Sequence, residues 1–170
     1  KPLISWTIEL AKKLFPPEHI IVSTDDTDIA KLAVGLDIAV PWMRPTALAG
    51  DYASSTDVAL HALSWYEKAI AKVDALILLQ PTSPFRKVET VRAAINTFAS
   101  LPNSAVISVS KIDCHPSRMF TIVNDRLKFQ DPSADFVSPS QRLQDVYAPN
   151  GLIYLISANE FKASRSFFPN

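Results

Sequence analysis

Ala75-Leu76-Ile77-Leu78-Leu79 followed by Gln80-Pro81-Thr82-Ser83-Pro84 is an apolar run that stops abruptly in a polar turn. A run of this length suits a buried strand and is too short for a free-standing helix. Val73 to Leu79 therefore reads as a central strand. Lys87 to Ser100 then follows as a helix, and Ala105 to Val109 as another buried strand. Strand, turn, helix and strand in that order predict an α/β domain, with a mostly parallel sheet covered by helices on both faces.

The same rhythm extends toward the start of the chain. Pro2 is placed as a first-turn residue, and Leu3, Trp6, Ile8, Leu10 and Leu14 predict a largely buried helix. His19 to Ser23 reads as a short strand, Asp26 as the cap of a helix reaching about Leu36, and Ile38 to Val40 as a brief strand. A loop from Pro41 to Ser54 leads to an amphipathic helix from about Ser55 to Ala71. Beyond Lys111 the character changes. Arg118 to Val123 and Arg126 to Phe129 flank Asn124-Asp125, the signature of a hairpin. Asp131 to Gln144 is polar and contains proline, an excursion from the sheet. Gly151 to Ile156 returns to strand, and Asn159 starts a last helix or turn.

Composition narrows the function. The 170 residues suit one domain, with 48% hydrophobic and 20% charged residues. Basic and acidic residues both number 17, so no overall field selects nucleic acid or an anionic membrane. The single cysteine, Cys114, excludes an intrachain disulfide and fits a reducing, cytoplasmic compartment. The apolar runs stay well short of a membrane span. His19, His61 and His115 lack metal-ligand spacing, and Gly35, Gly50 and Gly151 are too dispersed for a phosphate-cradling loop.

Ligands of open α/β sheets sit beyond the carboxyl ends of the strands. Three polar segments occupy such places: Ser23-Thr24-Asp25-Asp26, Gln80 to Pro84, and Ser110-Lys111. The second offers an amide, two hydroxyls and two prolines that fix them, with Arg86 just beyond. The loop from Arg44 to Ser55 ends where a helix begins, a place where amides and hydroxyls suit a phosphate or a base. Turn formation and helix capping explain each segment equally well when it is taken alone.

Together the segments say more. Val22-Ser23-Thr24-Asp25-Asp26, Arg44-Pro45 with Leu48-Ala49-Gly50-Asp51-Tyr52-Ala53-Ser54-Ser55, Leu78-Leu79-Gln80-Pro81-Thr82-Ser83-Pro84-Phe85-Arg86, and Pro149-Asn150-Gly151-Leu152-Ile153-Tyr154 occur in order. This succession resembles the acylneuraminate cytidylyltransferases, the CMP-sialic acid synthetases. The resemblance implies a Rossmann-like nucleotidyltransferase fold, a homodimer and a Mg²⁺ requirement. It also implies attack by a nine-carbon keto-acid sugar on the α-phosphate of CTP. By the same resemblance Arg44, Ser54 and Ser55 contact the nucleotide. Gln80, Thr82, Ser83, Asn150, Gly151, Tyr154, Phe167 and Phe168 fall on the sugar side. Arg118 and Arg142 are basic residues offered across the dimer, from a dimerisation hairpin within residues 112–148.

The resemblance further implies a phosphate loop just before Lys1 and Mg²⁺-binding aspartates after Asn170. On this reading residues 1–170 are one nucleotidyltransferase domain truncated at both ends. The triphosphate cradle, the catalytic groups and the metal ligands then lie outside it, and this polypeptide alone is expected to turn over CTP poorly. Two alternatives stand beside N-acetylneuraminate activation. One is another nonulosonate acceptor, such as legionaminate or pseudaminate; the other is a noncatalytic nucleotide- or sugar-binding paralogue.

Overall fold

The structure, a computed structural model, describes residues 1–101, 104–130 and 143–169. It divides into two compact units, Lys1–Ser108 with Gly151–Asn170, and Val109–Asn150. Five helices occur among the described residues: α1 (Leu3–Lys12), α2 (Thr27–Val34), α3 (Ser55–Ala69), α4 (Val88–Ser100) and α5 (Ala158–Ser164). The strands are β1 (Ala75–Leu78), β2 (Ala105–Lys111), β3 (Phe120–Val123), β4 (Arg126–Phe129) and β5 (Tyr147–Ser157).

Side chains close the amino ends of three helices. Ser54 Oγ accepts the Asp57 amide ahead of α3, and Ser157 Oγ accepts the Glu160 amide ahead of α5. Asp26 Oδ1 accepts the amides of Asp28 and Ile29 ahead of α2, at 2.7 and 3.0 Å. These two bonds, the Ile29 amide foremost, hold the Asp26 carboxyl below its ordinary range. A depressed carboxyl adds stability above its unfolded pKa and loses it as pH falls through the folded value. Asp26→Ala is therefore expected to lower the melting temperature at neutral pH. The gap from wild type should close in acid, below the usual aspartate range, when melting is followed across pH. Asp26→Asn, which keeps the capping oxygen, should melt near wild type at neutral pH and lack this pH dependence.

The sheet corrects two expectations. Its strand order is β1-β5-β2, so β5 is the middle strand and β1 lies at an edge. β1 also runs antiparallel to β5, pairing Ala75 with Ser157 and Leu78 with Tyr154, so this pair departs from the mostly parallel arrangement expected. The sequence signal was length and apolarity, and neither reports strand direction. Parallel pairing is seen where His19–Ser23 and Ile38–Val40 were expected as strands. There it consists of isolated bridges, Ile21 with Ala39 and Thr24 with Met43.

Three apolar clusters hold the first unit. Ile8, Val22, Ala33 and Ile38 join α1, α2 and the bridged segments. Leu10, Val91, Ile153 and Leu155 pack α1 and α4 against β5. On the opposite side of the alternating β5 residues, Ile156 packs with Leu63, Ala158, Phe161 and Phe167. The middle strand is thus covered on both faces. α1 buries Ile8 and Leu10 as expected, together with Ser5, Thr7 and Ala11. Leu3 and Trp6 stay exposed, and Trp6 carries the Lys1 ammonium 4.4 Å above its ring.

In the second unit, β3 and β4 form an antiparallel hairpin. Asn124 and Asp125 take φ of 51° and 58°, and two consecutive left-handed residues suit the tight turn between twisted strands. Phe120 faces Phe129, and Ile122 faces Leu127. Alternation puts both pairs on one side of the ribbon, with Thr121 and Lys128 on the other. Every residue of the two strands is exposed.

Candidate functional site

The expected nucleotide-side residues sit on a loop and a helix start in the first unit. Arg44 donates through Nη2 to Asp25 Oδ1 at 2.8 Å, and its own amide bonds the Thr24 carbonyl at 2.8 Å. The loop arginine is thus tied to the end of the Ile21–Thr24 segment, and its Nε is buried without a protein partner. Asp25 is the site neighbour that sequence reading left in a turn or capping role, because a partner 19 residues away leaves no local signal. Trp42, two residues earlier, packs its ring 5.0 Å from both His61 and Trp65, one turn apart on α3. The Arg44 loop is therefore held at its base against that helix.

Ser54 and Ser55 do different things. Ser54 is the N-cap of α3; its hydroxyl also donates to Asp57 Oδ2 at 2.7 Å, and Asp57 pairs with Arg165. Ser55 accepts from Gln80 Nε2 at 3.4 Å. That bond brings the first residue of α3 beside the turn that follows β1.

Gln80 also approaches β5. A β-carbon at position 151 would stand 3.2 Å from Gln80 Oε1, and Gly151 adopts φ of +76°. Glycine fits here on both counts, since a side chain would press on the amide and favours negative φ. Thr82 is exposed and Ser83 half-buried in the tight turn, where the Ser83 amide bonds the Gln80 carbonyl at 3.4 Å. Tyr154 stands between the rings of Phe167, 5.5 Å away, and Phe168, 5.9 Å away. Phe167 is buried against Phe161 at 4.5 Å, whereas Phe168 is half exposed. Of the three expected aromatics, Phe167 belongs to the core, while Tyr154 and Phe168 retain exposed surface.

Asn150 and Arg118 belong to the second unit. Asn150 Nδ2 donates to Ser110 Oγ at 3.0 Å, joining the outer parts of β5 and β2. Arg118 closes the short 3₁₀ turn Pro116–Arg118, and shares a shallow cleft with Lys111, His115 and Asp145. Arg142 lies outside the described residues.

No group of three histidine, cysteine or acidic side chains fit for a metal ion occurs among the described residues. Asp25 is committed to Arg44 and Asp26 to its helix cap. Asp25 and Asp26 thus do not compose a Mg²⁺ site. No helix among the described residues is long and apolar enough to cross a membrane.

Asp25 thus meets the loop arginine and Gln80 meets the start of α3, polar groups beyond strand ends, where α/β sheets take ligands. The chain belongs to the cytidylyltransferase family, whose model matches residues 1–147. It is 34% identical to the CMP-N,N'-diacetyllegionaminic acid synthase of Legionella pneumophila, over 99% of this chain and 72% of that protein. It is 32% identical to an N-acylneuraminate cytidylyltransferase of Streptococcus agalactiae, over 99% of this chain but 40% of the relative. A pseudaminic acid cytidylyltransferase of Campylobacter jejuni is 25% identical, over 91% of this chain and 66% of its own length.

Proposed function

We propose that this chain forms the nucleotide-and-sugar cleft of an enzyme that joins a nine-carbon keto-acid sugar of the sialic acid type to CTP. The anomeric hydroxyl attacks the α-phosphorus, the bond to the β-phosphate oxygen breaks, and CMP-sugar and pyrophosphate leave. Such a transfer depends on holding the two reactants in line and on fixed groups that complement the phosphates. Arg44 and Ser55 take the nucleotide side. Gln80, Gly151 and Tyr154 take the sugar side, where an amide meets hydroxyls and the aromatic surface of Tyr154 and Phe168 meets acyl groups. The observation that carries this reading is the Gln80–Ser55 hydrogen bond, which sets the two sides within one bond of each other.

The names of the relatives give the acceptor class: N-acylneuraminate, diacetyllegionaminate and pseudaminate are all nine-carbon keto acids. The family resemblance supports a Mg²⁺ requirement and a cytoplasmic location, where CTP is supplied. The nucleotide half is tested by titrating CTP into the full-length protein in a calorimeter. Arg44→Ala is expected to weaken CTP binding by about tenfold or more, the scale of a lost charge-assisted contact. An unchanged affinity would remove Arg44 from the nucleotide site.

The hairpin supports a dimer. A two-stranded ribbon is marginal alone in water, and Ile122 and Leu127, paired across β3 and β4, are exposed apolar residues. A second copy's hairpin is the proposed partner of Ile122 and Leu127, with Arg118 and Arg142 offered across the pair. Ile122→Lys with Leu127→Lys is expected to turn a dimer into a monomer in sedimentation equilibrium, with the melting of the first unit unchanged. A double variant that stays dimeric would contradict this.

A further inference from the structure

Where the β1–β5 ladder ends, a buried cation takes over from the backbone. Leu78 is the last paired residue of β1, opposite Tyr154. Carried two residues on, the same register sets Gln80 opposite Leu152. There Arg86 Nη2 donates to the Gln80 carbonyl at 2.9 Å, and its Nε donates to the Leu152 carbonyl at 2.6 Å. Arg86 is 6% exposed, and burial holds its pKa below the ordinary arginine value. Nη1 is enclosed without a partner. A buried charge with two carbonyl partners and an idle donor is a costly way to close a turn.

The position of Gln80 gives this arrangement a purpose. Its carbonyl is held by Arg86, its Oε1 lies against Gly151, and its Nε2 reaches Ser55. Arg44 and Ser54 are fixed separately, by Asp25 and Asp57. We infer that Arg86 is a positioning residue, which sets the Gln80 amide between the two substrate sides and acts on the sugar through it. Lysine does not replace it, because a single ammonium lacks the planar fork that spans two carbonyls. The inference rests on the reading of Gln80 as a sugar contact.

The test uses the full-length protein with CTP, Mg²⁺ and the acceptor sugar that wild type turns over best. Arg86→Lys and Arg86→Gln are each made in the wild-type and the Gln80→Ala backgrounds. In the wild-type background either variant is expected to lower kcat/KM for the sugar by about tenfold or more, while CTP affinity by calorimetry moves less than about threefold. In the Gln80→Ala background the same change is expected to cost less than about threefold, because residues acting through one another are not additive. Equal losses in both backgrounds, or a parallel loss of CTP affinity, would overturn the inference. So would failure of both variants to fold, since Arg86 would then hold the fold rather than the site. A wild-type protein that activates none of the sugars removes the functional reading, and this inference with it. An active wild type with additive losses removes the inference alone.

Discussion

Gly151→Val is expected to lower kcat/KM for the sugar by about 100-fold or more, close to 2.7 kcal/mol of transition-state stabilisation. Two effects combine. Position 151 holds φ of +76°, which a β-branched residue adopts only with strain. Strain of this kind costs about 1–3 kcal/mol. The new β-carbon would also stand 3.2 Å from Gln80 Oε1, before the two methyls of valine are counted. Relief comes either from moving the Gln80 amide off Ser55 or from shifting β5 beside Tyr154. Both disturb the sugar side, whereas Arg44 keeps its separate tie to Asp25. Steady-state pyrophosphate release at saturating CTP reads the effect directly. A loss smaller than about threefold would show that Gly151 and Gln80 are not coupled.

Phe161→Ala is expected to have the largest effect on stability, about 3–5 kcal/mol for removing a fully buried ring. Phe161 is 0% exposed on α5, and its ring lies 4.5 Å from Phe167, which in turn contacts Tyr154. The loss should therefore reach the aromatic surface as well as the core. Denaturant unfolding should show a lower midpoint with an unchanged slope. Phe168→Ala should melt near wild type, because that ring is already half exposed. Equal destabilisation by the two substitutions would contradict the division of the aromatics into core and surface.

Local chemistry was legible where neighbours in the chain decide it. Asp26 read as a helix cap because a cap bonds amides two or three residues on. Asn124-Asp125 read as a hairpin turn for the same reason. What failed depended on distance. Nothing in Val73 to Leu79 announces a partner strand some 80 residues later or its direction, so the antiparallel β1–β5 pair and the edge position of β1 were missed. Periodicity placed Ile8 and Leu10 in the core, where they lie, but also Trp6 and Leu3, which stay exposed while Ser5 and Thr7 are buried.

The candidate site divides along the same line. Arg44, Ser55, Gln80 and Tyr154 came from the order of four short segments, which no one segment carries. The structure brings Ser55 to Gln80 and Gln80 to Gly151, and it shows Ser54 capping α3 and Phe167 packed on Phe161. Asp25 and Arg86 gained their roles only from folded contacts, with Arg44 in one case and with the carbonyls of Gln80 and Leu152 in the other.

The central claim, that one cleft joins CTP to a nine-carbon keto acid, is tested by incubating the full-length protein with CTP and Mg²⁺. Separate reactions receive N-acetylneuraminate, N,N'-diacetyllegionaminate or pseudaminate, and CMP-sugar is followed together with pyrophosphate. The account predicts equimolar CMP-sugar and pyrophosphate with at least one of the three, and none when Gln80→Ala accompanies Arg44→Ala. CTP binding without pyrophosphate release for any of the sugars would contradict it, and would describe a nucleotide-binding protein instead.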